Sequence, residues 1–137
     1  MALRNVQWIP VPHRTDDRGT LAVLEGASVP FDVKRVFFMH SVPARTERGG
    51  HAHPHTDQLV VSVAGSLRLE LYDGADTSEY LVDDPHMALY VPRMIWTRLR
   101  EFSPGAVTMV LCNTVYVPAD VIRDIDAYRA RLGAATA

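Results

Sequence analysis

The chain has 137 residues, a formal net charge of −2, and 47% hydrophobic against 22% charged residues. That length suits one domain over residues 1–137, burying on the order of two-thirds of its unfolded surface without staples. A pI near 6.3 argues against a non-specific nucleic-acid binder. The lone cysteine, Cys112, excludes an intramolecular disulfide framework and a multi-cysteine zinc site.

The N-terminal stretch to about Gly26 reads as strand followed by turn, with Trp8 and Ile9 too apolar for a free tail. No apolar segment follows Arg4 as in a signal peptide, and no run approaches the roughly 18 apolar residues of a membrane span. A soluble, cytoplasmic protein is therefore expected. Further β-rich runs cover residues 21–25, 34–42 and 58–63. Residues 66–72 put Leu67, Leu69 and Leu71 on one face, and Ala64-Gly65-Ser66 reads as a tight hairpin joining this run to the one before it. Asp73-Gly74 is a turn signal, and runs at 87–91, 95–102 and 106–116 follow, separated by prolines and glycines. Many short strands predict an all-β sandwich or barrel. Only the end looks helical: Val121, Ile122, Ile125, Tyr128 and Leu132 fall at helical spacing, with Asp120 placed to cap the start and Gly133 to close the end.

Four of the 6 histidines are His40, His51, His53 and His55. In a strand, His51 and His53 point to the same face and can enter one cavity. Three readings of this cluster compete. It is a solvated polar loop, a metal site built on imidazoles, or an acid–base site, because histidine titrates near neutral pH.

Gly-x-His-x-His at Gly49 to His53, followed by a strand, the Gly65 turn and a later Pro92 element, resembles the two motifs of the cupin family. Those motifs converge two histidines, a glutamate and a third histidine on one metal. Here the glutamate slot holds Gln58, with Asp57 beside it, and the third-histidine slot holds Thr97. An amide and a hydroxyl bind transition metals poorly in place of carboxylate and imidazole.

A longer ordered set of stretches resembles one cupin branch, the nucleotide-sugar 3,4-ketoisomerases, also called WxcM-like. The stretches are Asp17-Arg18-Gly19 with Leu21, Lys34 to Phe37, Arg48 to His53, Leu89 to Pro92, Ile95-Trp96, Phe102 to Val107 and Ile122-Arg123-Asp124. The resemblance implies a metal-independent, cofactor-free, homodimeric jelly roll (double-stranded β-helix), commonly with exchanged N-terminal strands and here with a short C-terminal helix. It implies conversion of dTDP-4-keto-6-deoxyglucose into the 3-keto sugar on the way to deoxy or amino sugars, with His51 as the base. No nucleic-acid or membrane partner is expected. The chemistry fits imidazole: a C4 ketone acidifies the C3 hydrogen, and a neutral base removes that proton and returns it to C4 through an enediol(ate). His53 is then expected to orient the sugar or polarise an oxygen.

The chain departs from the branch at Met39-His40, where an aromatic residue is usual, and at Thr97, where arginine or histidine is common. The C4 configuration of the product is therefore not assigned by the sequence. Arg48, beside Gly49-Gly50, is a candidate for gripping the pyrophosphate, with a solvated loop residue as the plain reading. Arg35, among apolar strand residues, needs an anion, either a substrate phosphate or Asp32. Arg18 and Thr97 join the substrate-binding candidates through the resemblance. Gln58, Asn113 and Tyr116 join them as polar groups at strand ends, and Trp8 and Trp96 read as core or interface aromatics. His13 and His86 read as surface, His55 as rim, and Cys112 as a buried small hydrophobe. Competing functions are a metal-dependent oxygenase using His51, His53, His55 and Asp57, a non-catalytic sugar-nucleotide binder, and a 3,5-epimerase on the same scaffold.

Overall fold

The structure, a computed structural model, describes residues 3 and 5–136. Among these residues the strands are β1 (Gln7–Pro10), β2 (His13–Asp16), β3 (Gly19–Ala22), β4 (Arg35–His40), β5 (Arg48–His51), β6 (Gln58–Ala64), β7 (Leu67–Tyr72), β8 (Thr77–Val82), β9 (Met87–Val91), β10 (Trp96–Arg100) and β11 (Val107–Cys112). One helix, α1 (Ile125–Thr136), follows. A five-stranded sheet of order β1-β9-β6-β11-β4 faces a four-stranded sheet of order β5-β10-β7-β8, and β2 and β3 form a separate hairpin. Every strand pairing is antiparallel, giving the all-β double-sheet jelly roll with a short C-terminal helix that the sequence predicts.

The core lies between the sheets. Leu67, Leu69 and Leu71 of β7 meet Val60, Leu89, Val91 and Val110 of the five-stranded sheet. That sheet is also covered on its other face, where Leu59, Val61, Ala88 and Leu111 pack beneath Val29, with Leu24 and Phe31 half-buried beside them. Double coverage explains why residues 59–61 read as an unbroken apolar run, whereas singly covered β7 alternates.

The tight hairpin expected at Ala64-Gly65-Ser66 does not form: β6 and β7 lie in different sheets, and the chain crosses between them at Gly65. Gly65 sits at φ +68, and a Cβ there would collide with the Ser103 hydroxyl. That hydroxyl accepts the Ser66 N–H at 2.8 Å, so the crossover is fixed by the 103–106 loop rather than by local pairing. The Asp73-Gly74 turn does join a hairpin, β7 to β8, with the Asp73 carboxylate accepting the N–H groups of Ala75 and Asp76.

Strand ends are shorter than the apolar runs. β4 stops at His40 because Ser41 turns to φ 57, and β10 stops at Arg100 because Glu101 turns to φ 53. β11 stops at Cys112, so residues 113–116 leave the sheet, and the run at 21–25 is strand only to Ala22. The helix starts later than its periodicity suggests. Asp124, not Asp120, caps it by accepting the Ala127 N–H at 2.9 Å, and α1 runs through Gly133. Val121 and Ile122 lie outside it, because Ile122 bridges Ala52 as an isolated β pair.

Candidate active site

Two glycines bring the His51–His53 segment to the open end of the sandwich. Gly49 at φ +87 and Gly50 at φ +74 take left-handed conformations, and a Cβ on Gly49 would lie 2.6 Å from the Thr97 carbonyl oxygen. β5 therefore lies close along β10, with His51 opposite Thr97. Beyond it, buried Ala52 exchanges two 2.9 Å backbone hydrogen bonds with Ile122, and the His53 carbonyl accepts the Met94 N–H at 2.8 Å. Three non-local elements thus hold three consecutive residues.

Both imidazoles enter one cavity of about 400 Å³. Their rings meet edge to face, with centroids 4.8 Å apart and planes at 83°. Burial pushes the His51 pKa down, the Arg123 charge adds to this, and the Gly49 backbone opposes it. The buried His51 Nδ1 has no hydrogen-bond partner of standard geometry. Burial, then His51, Arg35 and Arg123, push His53 down to about 4. Both shifts favour the neutral ring, the form that can accept a proton.

Of the substrate-binding candidates, Arg35, Arg48, Gln58, Thr97 and Tyr116 line this cavity. Arg35 is not paired with Asp32; its guanidinium lies over the Phe37 ring at 4.4 Å and the Tyr116 ring at 4.8 Å. The Thr97 side chain is nearly enclosed, its hydroxyl donating to the Ile95 carbonyl at 3.3 Å. Gln58 donates to the Cys112 sulfur at 3.7 Å, and buried Cys112 has its pKa raised by burial.

Two candidates lie elsewhere. Arg18 sits in the β2–β3 hairpin, its side chain 86% exposed and bound to Asp16. Asn113 faces Asp57 instead of the cavity, accepting the Asp57 N–H and donating to its carboxylate, because β11 has already ended. Asp57 also binds Arg93, through both the backbone N–H and the guanidinium. His55 is exposed at the rim of a smaller adjoining cavity, His40 is exposed and bonded to Ser41, and His13 stacks on His86 at 3.6 Å at the surface. Trp8 lies against Tyr80 and Trp96 against Tyr128.

Arg123, Glu47, Phe37 and Met39 also line the cavity and were not read as site residues. Arg123 had a signal, since Ile122-Arg123-Asp124 is one of the resembling stretches. A helical reading of residues 121–132 concealed that this segment is a loop bridged to Ala52.

The donors do not fit a cupin metal. Only two imidazoles converge: the Thr97 hydroxyl is turned to its own strand, Asp57 is neutralised by Arg93, and Arg35 and Arg123 face the histidines with positive charge. Among the described residues, no group of three or more His, Cys, Asp or Glu side chains is arranged to hold an ion.

The chain matches the FdtA family (WxcM-like, C-terminal) over residues 4–132 and belongs to it. It is 36% identical over 115 residues, 83% of each chain, to the TDP-4-oxo-6-deoxy-α-D-glucose-3,4-oxoisomerase of Aneurinibacillus thermoaerophilus. Among solved structures it is similar to a histidine-to-asparagine mutant of the 3,4-ketoisomerase QdtA from Thermoanaerobacterium thermosaccharolyticum, in complex with TDP-4-keto-6-deoxyglucose. That match has a TM-score of 0.92 and 30% identity over 95% of both chains. It is also similar to the TDP-quinovose 3,4-ketoisomerase WlaRB of Campylobacter jejuni, with a TM-score of 0.90 and 30% identity over 93% of this chain and 99% of that one. No helix among the described residues is long and apolar enough to cross a membrane.

Proposed function

We infer that this protein is a TDP-sugar 3,4-ketoisomerase in which His51 moves a proton between C3 and C4 of a 4-keto-6-deoxyhexose without a metal. The observation that carries this reading is the pair of imidazoles packed edge to face in a cavity lined by Arg35, Arg48 and Arg123. A neutral His51 takes the C3 proton made acidic by the C4 ketone, and its imidazolium returns that proton to C4. His53, packed edge-on against it, hydrogen-bonds a sugar oxygen as enediolate charge develops. Arg35 and Arg48 compensate the diphosphate, since neither is in an ion pair with a carboxylate among the described residues. The family relationship supports this substrate class.

The test is NMR of TDP-4-keto-6-deoxyglucose incubated with the enzyme in D2O. The 3-keto product is expected, with His51→Asn losing at least the ~10²-fold typical of a general base while TDP still binds. His53→Asn is expected to lose less, because an amide still donates to oxygen. Wild-type rates in both variants would make the histidines structural. Dialysis against a chelator is expected to leave turnover unchanged.

A homodimer is also part of this reading. Among the described residues the sheet ends at β4, whose outer edge is unpaired, and Phe38 on it is 63% exposed. β1 already covers the opposite edge within its own chain. Light scattering at micromolar concentration should report twice the monomer mass.

A further inference from the structure

The His53 main chain is held from outside the cavity. Its carbonyl accepts the Met94 N–H at 2.8 Å. Pro54 follows, so the His53–Pro54 peptide has no N–H, and this carbonyl is its one group able to hydrogen-bond. The orientation of the Met94 backbone therefore helps decide where His53, and the imidazole it carries, stands.

Met94 has an uncommon backbone. It lies in the turn between β9 and β10 at φ 63, the left-handed region that a residue with a side chain seldom enters. Before it, the Arg93 N–H is bound to the Asp57 carboxylate at 2.8 Å, and after it Ile95 is buried in the core. Between these anchors the turn presents the Met94 N–H to His53 and the Met94 carbonyl to Tyr128 of α1.

Tyr128 is fully buried and is not part of the cavity wall, so it does not touch substrate. Its ring packs against Trp96, with centroids 5.5 Å apart, and against Tyr72 at 6.0 Å. Its hydroxyl donates to the Met94 carbonyl at 2.8 Å, with the Tyr72 carbonyl as a second acceptor at 3.0 Å. One hydroxyl thus joins α1 to the end of β7 and to the turn before β10. Burial pushes the phenol pKa up to about 12, against a smaller opposing pull from the Trp96 backbone, so the oxygen keeps the proton it donates.

We propose that Tyr128 is a positioning residue for His53, acting through the left-handed Met94 turn that its hydroxyl holds. The proposal rests on the ketoisomerase reading above. With the hydroxyl in place, the strained turn is kept and the His53 carbonyl keeps its donor. Without it, the turn is free to relax toward a negative φ, which swings the Met94 N–H away from His53. The C-terminal segment then braces the histidine strand at two consecutive residues: Ile122 pairs with Ala52, and Tyr128 steadies His53. The phenol itself takes no part in the chemistry.

The experiment compares Tyr128→Phe with the unsubstituted enzyme by three measurements: NMR turnover of TDP-4-keto-6-deoxyglucose, calorimetric TDP binding, and the imidazole NMR signals of the free protein. Tyr128→Phe keeps the ring against Trp96 and removes only the hydroxyl. Its kcat should fall by about 10- to 10²-fold, the range a small misplacement of an active-site group produces, with TDP affinity within about threefold of wild type. The His53 signals should shift while those of His13 and His86, at the surface, stay in place. Wild-type kcat with unmoved His53 signals would overturn the proposal, and so would parallel losses of kcat and TDP affinity, the mark of general loosening. Where Tyr128→Phe does not fold, Met94→Val tests the same link with the hydroxyl present, because a β-branched residue disfavours positive φ more strongly. The same split between kcat and TDP affinity is expected, and its absence would overturn the proposal. Absence of any 3-keto product from the unsubstituted enzyme would instead overturn the ketoisomerase reading, while the His53 signals still report on the Tyr128 link.

Discussion

Strand β10 separates two surfaces that use arginine in opposite ways. On its outer face, Arg98 binds Glu47 and Glu70, Arg100 binds Glu70 and Glu79, and neighbouring Arg68 binds Glu101. On its inner face, Thr97 and Leu99 look into a cavity where Arg35, Arg48 and Arg123 have no carboxylate partner among the described residues. Outside, each cation is neutralised across the sheet, a ladder in which any one exposed pair is worth little. Inside, three positive charges are held by aromatic rings, a phenol or solvent. Their compensation is left to an anion that arrives, and a nucleoside diphosphate supplies one.

The comparison breaks if the cavity arginines are as dispensable as the outer ones. Arg48→Ala should weaken TDP binding by roughly 10–150-fold, the value of a lost charge-assisted phosphate contact, with a smaller effect on proton transfer. Calorimetric titration measures it, and unchanged affinity would make Arg48 a solvated loop residue. Gly49→Ala sharpens the contrast by disturbing the inner face alone. A Cβ against the Thr97 carbonyl, at positive φ, should cost on the order of 1–3 kcal/mol in urea unfolding and displace His51.

The inner face should also make stability sensitive to acid. His53 has its pKa lowered to about 4, so between the ordinary histidine value near 6.5 and about 4 the unfolded chain binds more protons than the folded one. Stability should be full above that window and fall as pH drops through it, with His51 acting in the same direction. Urea midpoints against pH should flatten in His53→Asn. The smallest effect belongs to the outer ladder: Arg100→Gln should change stability by no more than about 1 kcal/mol and leave TDP affinity unchanged.

How much of this was legible in the sequence follows from which forces are local. Leu67, Leu69 and Leu71 alternate because β7 has one dry face and one ionic face, so period two is written into the residues. The spacing of His51 and His53 likewise put both rings in one cavity before any packing was known. The crossing at Gly65 looked like a hairpin because a glycine turn between two apolar runs serves either purpose. The Ser103 loop, distant in sequence, decides between them. β8 was not read at all, since Thr77 to Val82 alternates too weakly without its pairing to β7.

Residues 113–124 mark the boundary most clearly. Their bonds run to Asp57 and Ala52, more than fifty residues away, and leave no periodicity of their own. The sequence by itself determined the strand content, the paired histidines and the family resemblance, because side-chain alternation and motif spacing are properties of neighbours along the chain. Only the tertiary structure decided that Asn113 serves Asp57, that Arg18 stands apart in its hairpin, and that Arg123 lines the histidine cavity and donates to the Tyr116 hydroxyl. Those choices depend on contacts between distant segments, whose closure is set by the assembled sheets and not by any local preference.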